Sequence, residues 1–224
     1  MRGLIELIDH QRSGWLTVQE YLKEASNNYE VLPCDPILAG SALHQLQVTT
    51  FSPLGSLVYE TGGILIDNGW LRILGSGHPQ LTRTPASWTQ SVTPGRTFQA
   101  LLVADDVSGG FFALNGGEFG EDRGGVYYLA PDSLEWENLD MSYSGLLNWA
   151  LHGNLDRFYQ SVRWAGWREE ISAMCGNKVY SFYPYLWTEP KLPIEQRSRA
   201  IVPIDEHWLL SMNLQRQITN MQRN

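Results

Sequence analysis

The sequence predicts an α+β protein in which a central antiparallel sheet lies between N-terminal and C-terminal helices. Apolar residues recur at helical spacing over about 1–50 and again over about 141–224, whereas about 55–140 consists of short apolar runs separated by Gly and Asn-Gly turns. Strands joined by tight turns pair as sequential neighbours. No repeat or linker divides the 224 residues, so we expect one domain over 1–224.

The N-terminal part is predicted to be helical. Two short helices open it, and the second is expected to begin at Thr17, because Glu20 three residues later completes a capping box. A connector with two prolines, 32–36, then leads into a third helix over 37–46.

The spacing of the apolar residues changes from helical to strand-like at Gly55, where the predicted sheet begins. Asn68-Gly69 between two apolar runs is the strongest hairpin signal, because both central residues of a two-residue turn need positive φ. Gly62-Gly63 is expected to form a weaker turn of the same kind. The strands that these turns separate are predicted over 56–61, 64–67 and 70–74.

A second group of strands follows a surface loop rich in Pro, Thr and Ser over 78–96. Pairs of glycines separate its members, which are predicted over 98–104, 110–115 and 125–130. Residues 131–138 interrupt the strand pattern and are expected to form a loop.

The C-terminal part returns to helical spacing. Asp140 or Ser142 is expected to cap its first helix, and Asn154 its second. The later elements are predicted as a helical run over 164–174, a strand over 178–187, and a last helix that starts near Asp205 and packs through Trp208, Leu209, Met212 and Gln215.

The composition is typical of a cytoplasmic protein with a large core. Hydrophobic residues make up 43% of the chain, yet no apolar run is long enough to span a bilayer. The N-terminus, 1–9, has acids inside its apolar run and no small-residue cleavage site, so no signal peptide is expected. Two cysteines make no disulfide framework, which indicates a reducing compartment.

The net charge of −8 is concentrated in one segment. Residues 101–140 contain nine acids and the single base Arg123, whereas the rest of the chain contains fifteen of each. A nucleic-acid binder would carry the opposite charge on a coherent face, so DNA, RNA and anionic membranes are excluded as expected partners. A basic protein is the partner that this charge favours.

Asp105 and Asp106 end an apolar strand and precede Ser108-Gly109-Gly110. Two acids at the end of a strand could bind a divalent metal or act as general acid and base. Asp, Ser and Gly also build tight turns, and no calcium-loop pattern surrounds the pair, so we predict a turn. No catalytic residue, metal site or cofactor is therefore predicted.

The glycine-rich stretch 116–125 is not expected to bind phosphate, because acids and a strand follow it instead of Lys and a helix.

Among the tryptophans, Trp88 is the one whose position core packing explains least, since it lies in the Pro-, Thr- and Ser-rich segment. Exposed Trp70 and Trp88 could bind a carbohydrate or another small ligand.

Three long stretches carry a family resemblance: Leu43–Thr50 continuing through Ile64–Gly77 (ILIDNGWLRILGSG), Leu101–Gly117 (LLVADDVSGGFFALNGG) and Leu155–Trp167. They resemble an uncharacterised bacterial family, the domain of unknown function 2625, over most of the chain. That resemblance implies no particular activity.

A second resemblance is architectural. The strand that ends in the acidic turn at Asp105-Asp106, the strand over 125–128 and the closing helix over 139–153 are together similar to the SUKH (Smi1/Knr4) superfamily. This resemblance implies an α+β fold with a central antiparallel sheet. Many bacterial members are immunity proteins that bind and neutralise toxins. The chain beyond Leu155 departs from that pattern.

Three hypotheses about function follow. The first is a non-catalytic protein-binding module, of immunity or regulatory type, whose acidic face meets a basic partner. The second is a metal-dependent hydrolase that uses Asp105 and Asp106, and the third is a small-ligand or carbohydrate binder that uses exposed Trp. The residues predicted to bind a partner are Asp105, Asp106, Glu118, Glu121, Asp122 and Trp88.

Overall fold

The computed structural model describes residues 1–9, 11–95 and 97–222, and over these residues it is an α+β fold with two antiparallel sheets. The main sheet has seven strands, each paired with its neighbours in chain order: β1 Tyr29–Pro33, β2 Thr61–Ile66, β3 Leu71–Leu74, β4 Ala100–Asp106, β5 Phe111–Asn115, β6 Gly125–Leu129 and β7 Trp136–Ser142. A separate pair consists of β8 Lys178–Tyr183 and β9 Ser198–Pro203. The predicted class and the sequential pairing are confirmed.

Helices precede, interrupt and follow the main sheet. They are α1 Leu4–Leu7, α2 Trp15–Glu24, α3 Pro36–Leu46, α4 Pro53–Glu60, α5 Pro85–Val92, α6 Tyr143–His152, α7 Leu155–Phe158, α8 Trp167–Ile171 and α9 Ile204–Gln222, with a 3-10 turn at Ile194–Gln196. Two predicted N-caps are confirmed: the Ser142 hydroxyl accepts a hydrogen bond from the Gly145 amide, and the Asn154 side chain accepts one from the Arg157 amide.

The hairpin predicted at Asn68-Gly69 is confirmed, because β2 and β3 pair antiparallel with Ile66 opposite Leu71. Its turn is longer than expected and spans the four residues between these partners. Asp67, Asn68 and Gly69 all have positive φ, at 51°, 59° and 82°. Asn and Gly tolerate this conformation at small cost, which explains why the sequence signal succeeded.

The strand predicted over 56–61 is wrong, since residues 53–60 form α4. The Ser52 hydroxyl accepts a hydrogen bond from the Gly55 amide at 3.1 Å, and Pro53 occupies the first helical position. This cap and proline start a helix that the apolar residues alone did not distinguish from a strand. The expected turn at Gly62-Gly63 lies within β2 instead.

Other segments predicted as loops have regular structure. β1 includes part of the expected connector over 32–36, β7 begins inside the expected loop over 131–138, and β9 was not predicted. The helix α5 lies within the expected loop over 78–96, where Thr84 and Ser87 form a capping box; Arg96 lies outside the described residues. The helix α2 begins at Trp15 rather than Thr17.

Both faces of the main sheet are covered. On one face, side chains such as Ile73 and Phe112 pack in an apolar cluster with α2, α4 and α6, and on the other face Phe111 and Leu102 pack with α5 and α9. Trp208 and Met212 are buried in the second cluster as expected, but Leu209 is exposed. Charged groups at the sheet's centre therefore lie between two apolar layers.

Candidate functional site

Asp105 and Asp106 are both fully buried, at 0% exposure, so neither belongs to an exposed acidic face as predicted. They are consecutive residues of β4, and consecutive side chains of a strand point to opposite faces of the sheet. Each carboxylate has its own set of partners. The pair is therefore not arranged to hold one metal ion or to act together on one substrate.

Asp105 forms ion pairs with two buried arginines. Its Oδ1 lies 2.7 Å from Nε of Arg72, which is its cross-strand partner on β3, and its Oδ2 accepts a hydrogen bond from Nη1 of Arg83. Arg72 is 1% exposed, and burial lowers the pKa of its guanidinium while Asp105 opposes that shift. One carboxylate thus compensates two cations inside the protein.

The two arginines also bind the turn before β8. Nη1 of Arg72 donates to the carbonyl oxygens of Gly176 and Lys178, at 3.1 and 2.6 Å, and Nη2 of Arg83 donates to the Gly176 carbonyl at 2.7 Å. We call Arg72, Arg83 and Asp105 the arginine clamp. It joins the main sheet to the turn that leads into the β8–β9 pair.

Asp106 organises the turn after β4. Its Oδ1 accepts hydrogen bonds from the Ser108 amide and hydroxyl and from the Gly110 amide, and its Oδ2 accepts one from the Tyr128 hydroxyl at 2.8 Å. Burial raises the pKa of Asp106, and the bonds from Ser108 and Tyr128 oppose that rise. The turn predicted from the Asp, Ser and Gly residues is confirmed.

Trp88 and Trp70 are also buried, at 3% and 0% exposure, so the prediction that they are exposed is wrong. Trp88 lies in α5, where it packs against Phe111 and Trp208 and where the guanidinium of Arg83 lies 4.4 Å from its ring centre. Trp70 is enclosed by other aromatic rings, those of Tyr159, Trp164 and Trp167. Neither ring is available to stack on a sugar.

The remaining predicted residues lie together in the loop between β5 and β6. Glu121 and Asp122 are exposed, while Glu118 is partly buried and accepts a hydrogen bond from the Gln99 amide. Asp122 holds the loop in place, since it accepts hydrogen bonds from Asn115, Tyr127 and Asn138 at 2.9, 2.9 and 3.1 Å. Of the predicted partner-binding residues, only these three lie near one another at the surface.

β7 adds acids that were not singled out from the sequence. It is one of the two edge strands of the main sheet, and Glu135, Glu137 and Asp140 are exposed along it and its preceding turn. The register with β6 shifts between Gly125 and Tyr127, so the alternation expected of a strand is broken and no sequence signal marked it. We call the surface formed by residues 116–124 and 132–142 the acidic edge.

A partly buried aromatic stack lies beside the acidic edge. The Phe119 ring packs on Tyr127 and on Trp136, with 4.6 Å between ring centres in each case. Phe119 and Trp136 both remain partly exposed. Acidic and aromatic side chains are therefore adjacent on this part of the surface.

Neither a metal centre nor a membrane segment is found in the part of the chain that the structure describes. No group of three or more His, Cys, Asp or Glu side chains there is arranged to hold an ion. No described helix is both long and apolar enough to cross a bilayer.

Two bacterial proteins are similar to this chain over nearly its whole length. A protein of Escherichia coli K12 described as "Putative uncharacterized protein YbfG" is 48% identical over 219 residues, which cover 98% of this chain and 100% of that protein. An "Uncharacterized protein" of Haemophilus influenzae is 40% identical over 211 residues, 93% of this chain and 92% of that protein.

The model of the family described as "Protein of unknown function DUF2625" matches residues 4–207. The chain belongs to this family. The family resemblance seen in the sequence is confirmed, and the relatives are bacterial proteins, as expected. Their descriptions name no activity, so the function has to be argued from the geometry of this chain.

Proposed function

We propose that this member of the DUF2625 family is a non-catalytic protein-binding module that receives a basic partner on its acidic edge. The observation that carries the proposal is the charge of residues 115–142, which contain seven acids and only Arg123 as a base. Such a surface accelerates association with a cationic partner and makes it sensitive to salt.

The rigidity of the acidic edge supports binding. Asp122 joins Asn115, Tyr127 and Asn138 in one hydrogen-bond network, which holds the loop against the edge strand. A surface that is already ordered loses little conformational entropy when a partner binds. The stack of Phe119 and Trp136 adds aromatic area, which is enriched at the energetic centres of protein interfaces.

A cytoplasmic, immunity-type or regulatory role is part of the proposal. It draws on the resemblance to the SUKH superfamily, in which many bacterial members are immunity proteins that bind and neutralise toxins, often nucleases. The metal-dependent hydrolase is not proposed, because Asp105 and Asp106 lie on opposite faces of β4.

The test compares two variants of equal charge change. In the first, Glu121, Glu135 and Glu137 become Gln; in the matched control, the exposed acids Glu20, Glu24 and Glu195 become Gln. Both variants and the wild type are used to capture partners from a lysate of the native host at low salt. Zero-length coupling of carboxylates to amines then identifies which acids contact a partner's lysines.

We expect the wild type and the control to capture the same basic protein, coupled through the acidic edge, and the first variant to capture it at least about tenfold less, since each unscreened contact adds to steering. Capture that is equal for all three proteins, or coupling outside residues 116–142, would refute the proposal. If the first variant instead self-associates, the acids serve to keep the edge strand from pairing with other chains.

A further inference from the structure

A cleft of about 330 Å³ lies on the main sheet beside β1, β2 and β3. Three of its lining residues form one row across the strands: Glu30 is opposite Leu65, and Leu65 is opposite Arg72. Directly opposite residues of paired strands present their side chains on the same face. The floor of the cleft therefore runs from an acid through an apolar residue to a base.

The two ends of this row carry opposite charges. Neighbouring strands lie about 4.8 Å apart, so the backbones at Glu30 and Arg72 are separated by about 10 Å, and each side chain reaches its charge beyond that point. Glu30 is exposed and makes no ion pair or hydrogen bond through its carboxylate in the described part of the chain. At the other end, Nη2 of the buried Arg72 has no hydrogen-bond partner among the described residues.

Within the arginine clamp, the cations outnumber the acids, although the Asp106 carboxylate on the opposite face of β4 also attracts Arg72. Asp105 is shared between Arg72 and Arg83, which leaves one excess positive charge in the arginine clamp. A carboxylate is the group that an arginine with a spare donor binds best, because the bond is assisted by both charges. An ammonium group is the matching partner for Glu30.

The walls of the cleft indicate what joins these two charged groups. Asn28, Asn68 and Gln80 are among the residues that line it, and their side-chain amides make no hydrogen bond with the described residues. Each amide has both donors and an acceptor, so peptide groups satisfy it and a methylene chain does not. An extended chain advances about 3.3–3.6 Å per residue, so three residues span about 10 Å.

We propose that this cleft binds a free short peptide of about three residues, whose amino terminus meets Glu30 and whose carboxyl terminus meets Arg72. The volume lies within the range of about 300–1,000 Å³ that small-molecule sites occupy. The proposal does not depend on the acidic edge, which is built from the strands at the opposite side of the sheet. A failure of one therefore leaves the other standing.

The test uses the full chain and a mixed library of free tripeptides, with retained peptides identified by mass spectrometry and their affinities measured by calorimetry. Two further libraries carry the same peptides with an acetylated amino terminus or an amidated carboxyl terminus. Capping the carboxyl terminus tests the contact with Arg72 without changing that residue, which also holds the turn before β8. We expect either cap to weaken binding about tenfold or more.

Variants of exposed residues assign the site. Ser172→Trp adds a large side chain to the wall of the cleft and should abolish binding, whereas Ser41→Trp, an exposed position on α3, should leave it unchanged. Glu30→Gln should remove the preference for a free amino terminus and keep the preference for a free carboxyl terminus. The proposal is overturned if no free tripeptide is retained at millimolar concentration, if capped peptides bind equally well, or if Ser172→Trp binds as the wild type does.

Discussion

Asp105 of the arginine clamp and the acids of the acidic edge come from the same acidic segment of the sequence, 101–140, but the fold treats their charges in opposite ways. Asp105 is fully buried and compensated by Arg72 and Arg83, whereas Glu135 and Glu137 are exposed on an edge strand. A count of charges along the chain cannot distinguish these two groups. The difference depends on which faces of the sheet the helices and the β8–β9 pair cover.

The comparison implies that equal changes of charge lower the free energy of unfolding by unequal amounts at the two places. A buried ion pair that loses one partner leaves an uncompensated charge in a medium that solvates it poorly, while an exposed carboxylate interacts mainly with water. Three predictions test this contrast, and each measures how the free energy of unfolding responds to a change at a buried or an exposed charged group.

The largest effect is expected for Asp105→Asn. This change leaves two buried guanidinium groups without a counter-charge, and it should lower the free energy of unfolding by about 3–5 kcal/mol. The measurement is urea denaturation followed by tryptophan fluorescence. Asp140→Asn is the matched control at the exposed edge strand, where we expect a change within about 0.5 kcal/mol. A loss below about 1 kcal/mol for Asp105→Asn would contradict the importance given to the clamp.

A smaller effect on the free energy of unfolding is expected when the pH is lowered, because His207 lies beside the Asp106 turn. The His207 ring packs on Gly109 and Phe111, and burial lowers the pKa of His207 to about 4. In the unfolded chain the pKa is about 6.5, so the unfolded state takes up the proton first as pH falls. The neutral His207 ring therefore contributes to the free energy of unfolding fully above about pH 6.5. This contribution is lost between about pH 6.5 and about pH 4, by roughly 2–3 kcal/mol.

The measurement is the slope of unfolding free energy against pH over that window, for the wild type, His207→Gln and the control His44→Gln. The slope should flatten only in His207→Gln. The raised pKa of Asp106 acts in the opposite direction, because the folded state then binds a proton more readily, and it is present in all three proteins. An unchanged slope in His207→Gln would show that another group causes the loss at low pH.

The smallest effect is expected at the acidic edge itself. Replacement of Glu121, Glu135 and Glu137 by Gln removes three negative charges that repel one another, and stability should change by no more than about 0.5 kcal/mol per site. Thermal unfolding at low and high salt measures this, with any small gain present at low salt only. A loss of several kcal/mol would mean that these side chains support the fold, in conflict with their exposure.

Features that depend on residues close together in the sequence could be predicted from it, whereas features that depend on residues far apart could not. The turn after Asp106, the hairpin at Asn68 and the cap at Ser142 depend on neighbouring residues, and all three were predicted. The edge strand β7 was missed because a register shift breaks its alternation. The burial of Asp105 was missed for a different reason, since strand pairing brings Arg72 to it and the segment before α5 brings Arg83 to it.

Trp88 illustrates the same limit at the candidate site. The composition of residues 78–96 indicated a loop, but the Thr84 and Ser87 capping box starts a helix there, and that helix places Trp88 on the second apolar cluster. A local cap was present in the sequence and could have revealed the helix. The burial of Trp88 could not have been found in this way, because Phe111 and Trp208 come from distant parts of the chain.

The arginine clamp joins parts of the chain that are far apart in the sequence. Nη1 of Arg72 bonds to carbonyl groups 104 and 106 residues later, and Nη2 of Arg83 to one 93 residues later. Until residues 176 and 178 have left the ribosome, Arg72 and Arg83 lack these acceptors. The bonds that join the main sheet to the turn before β8 can therefore form only after most of the chain has been synthesised.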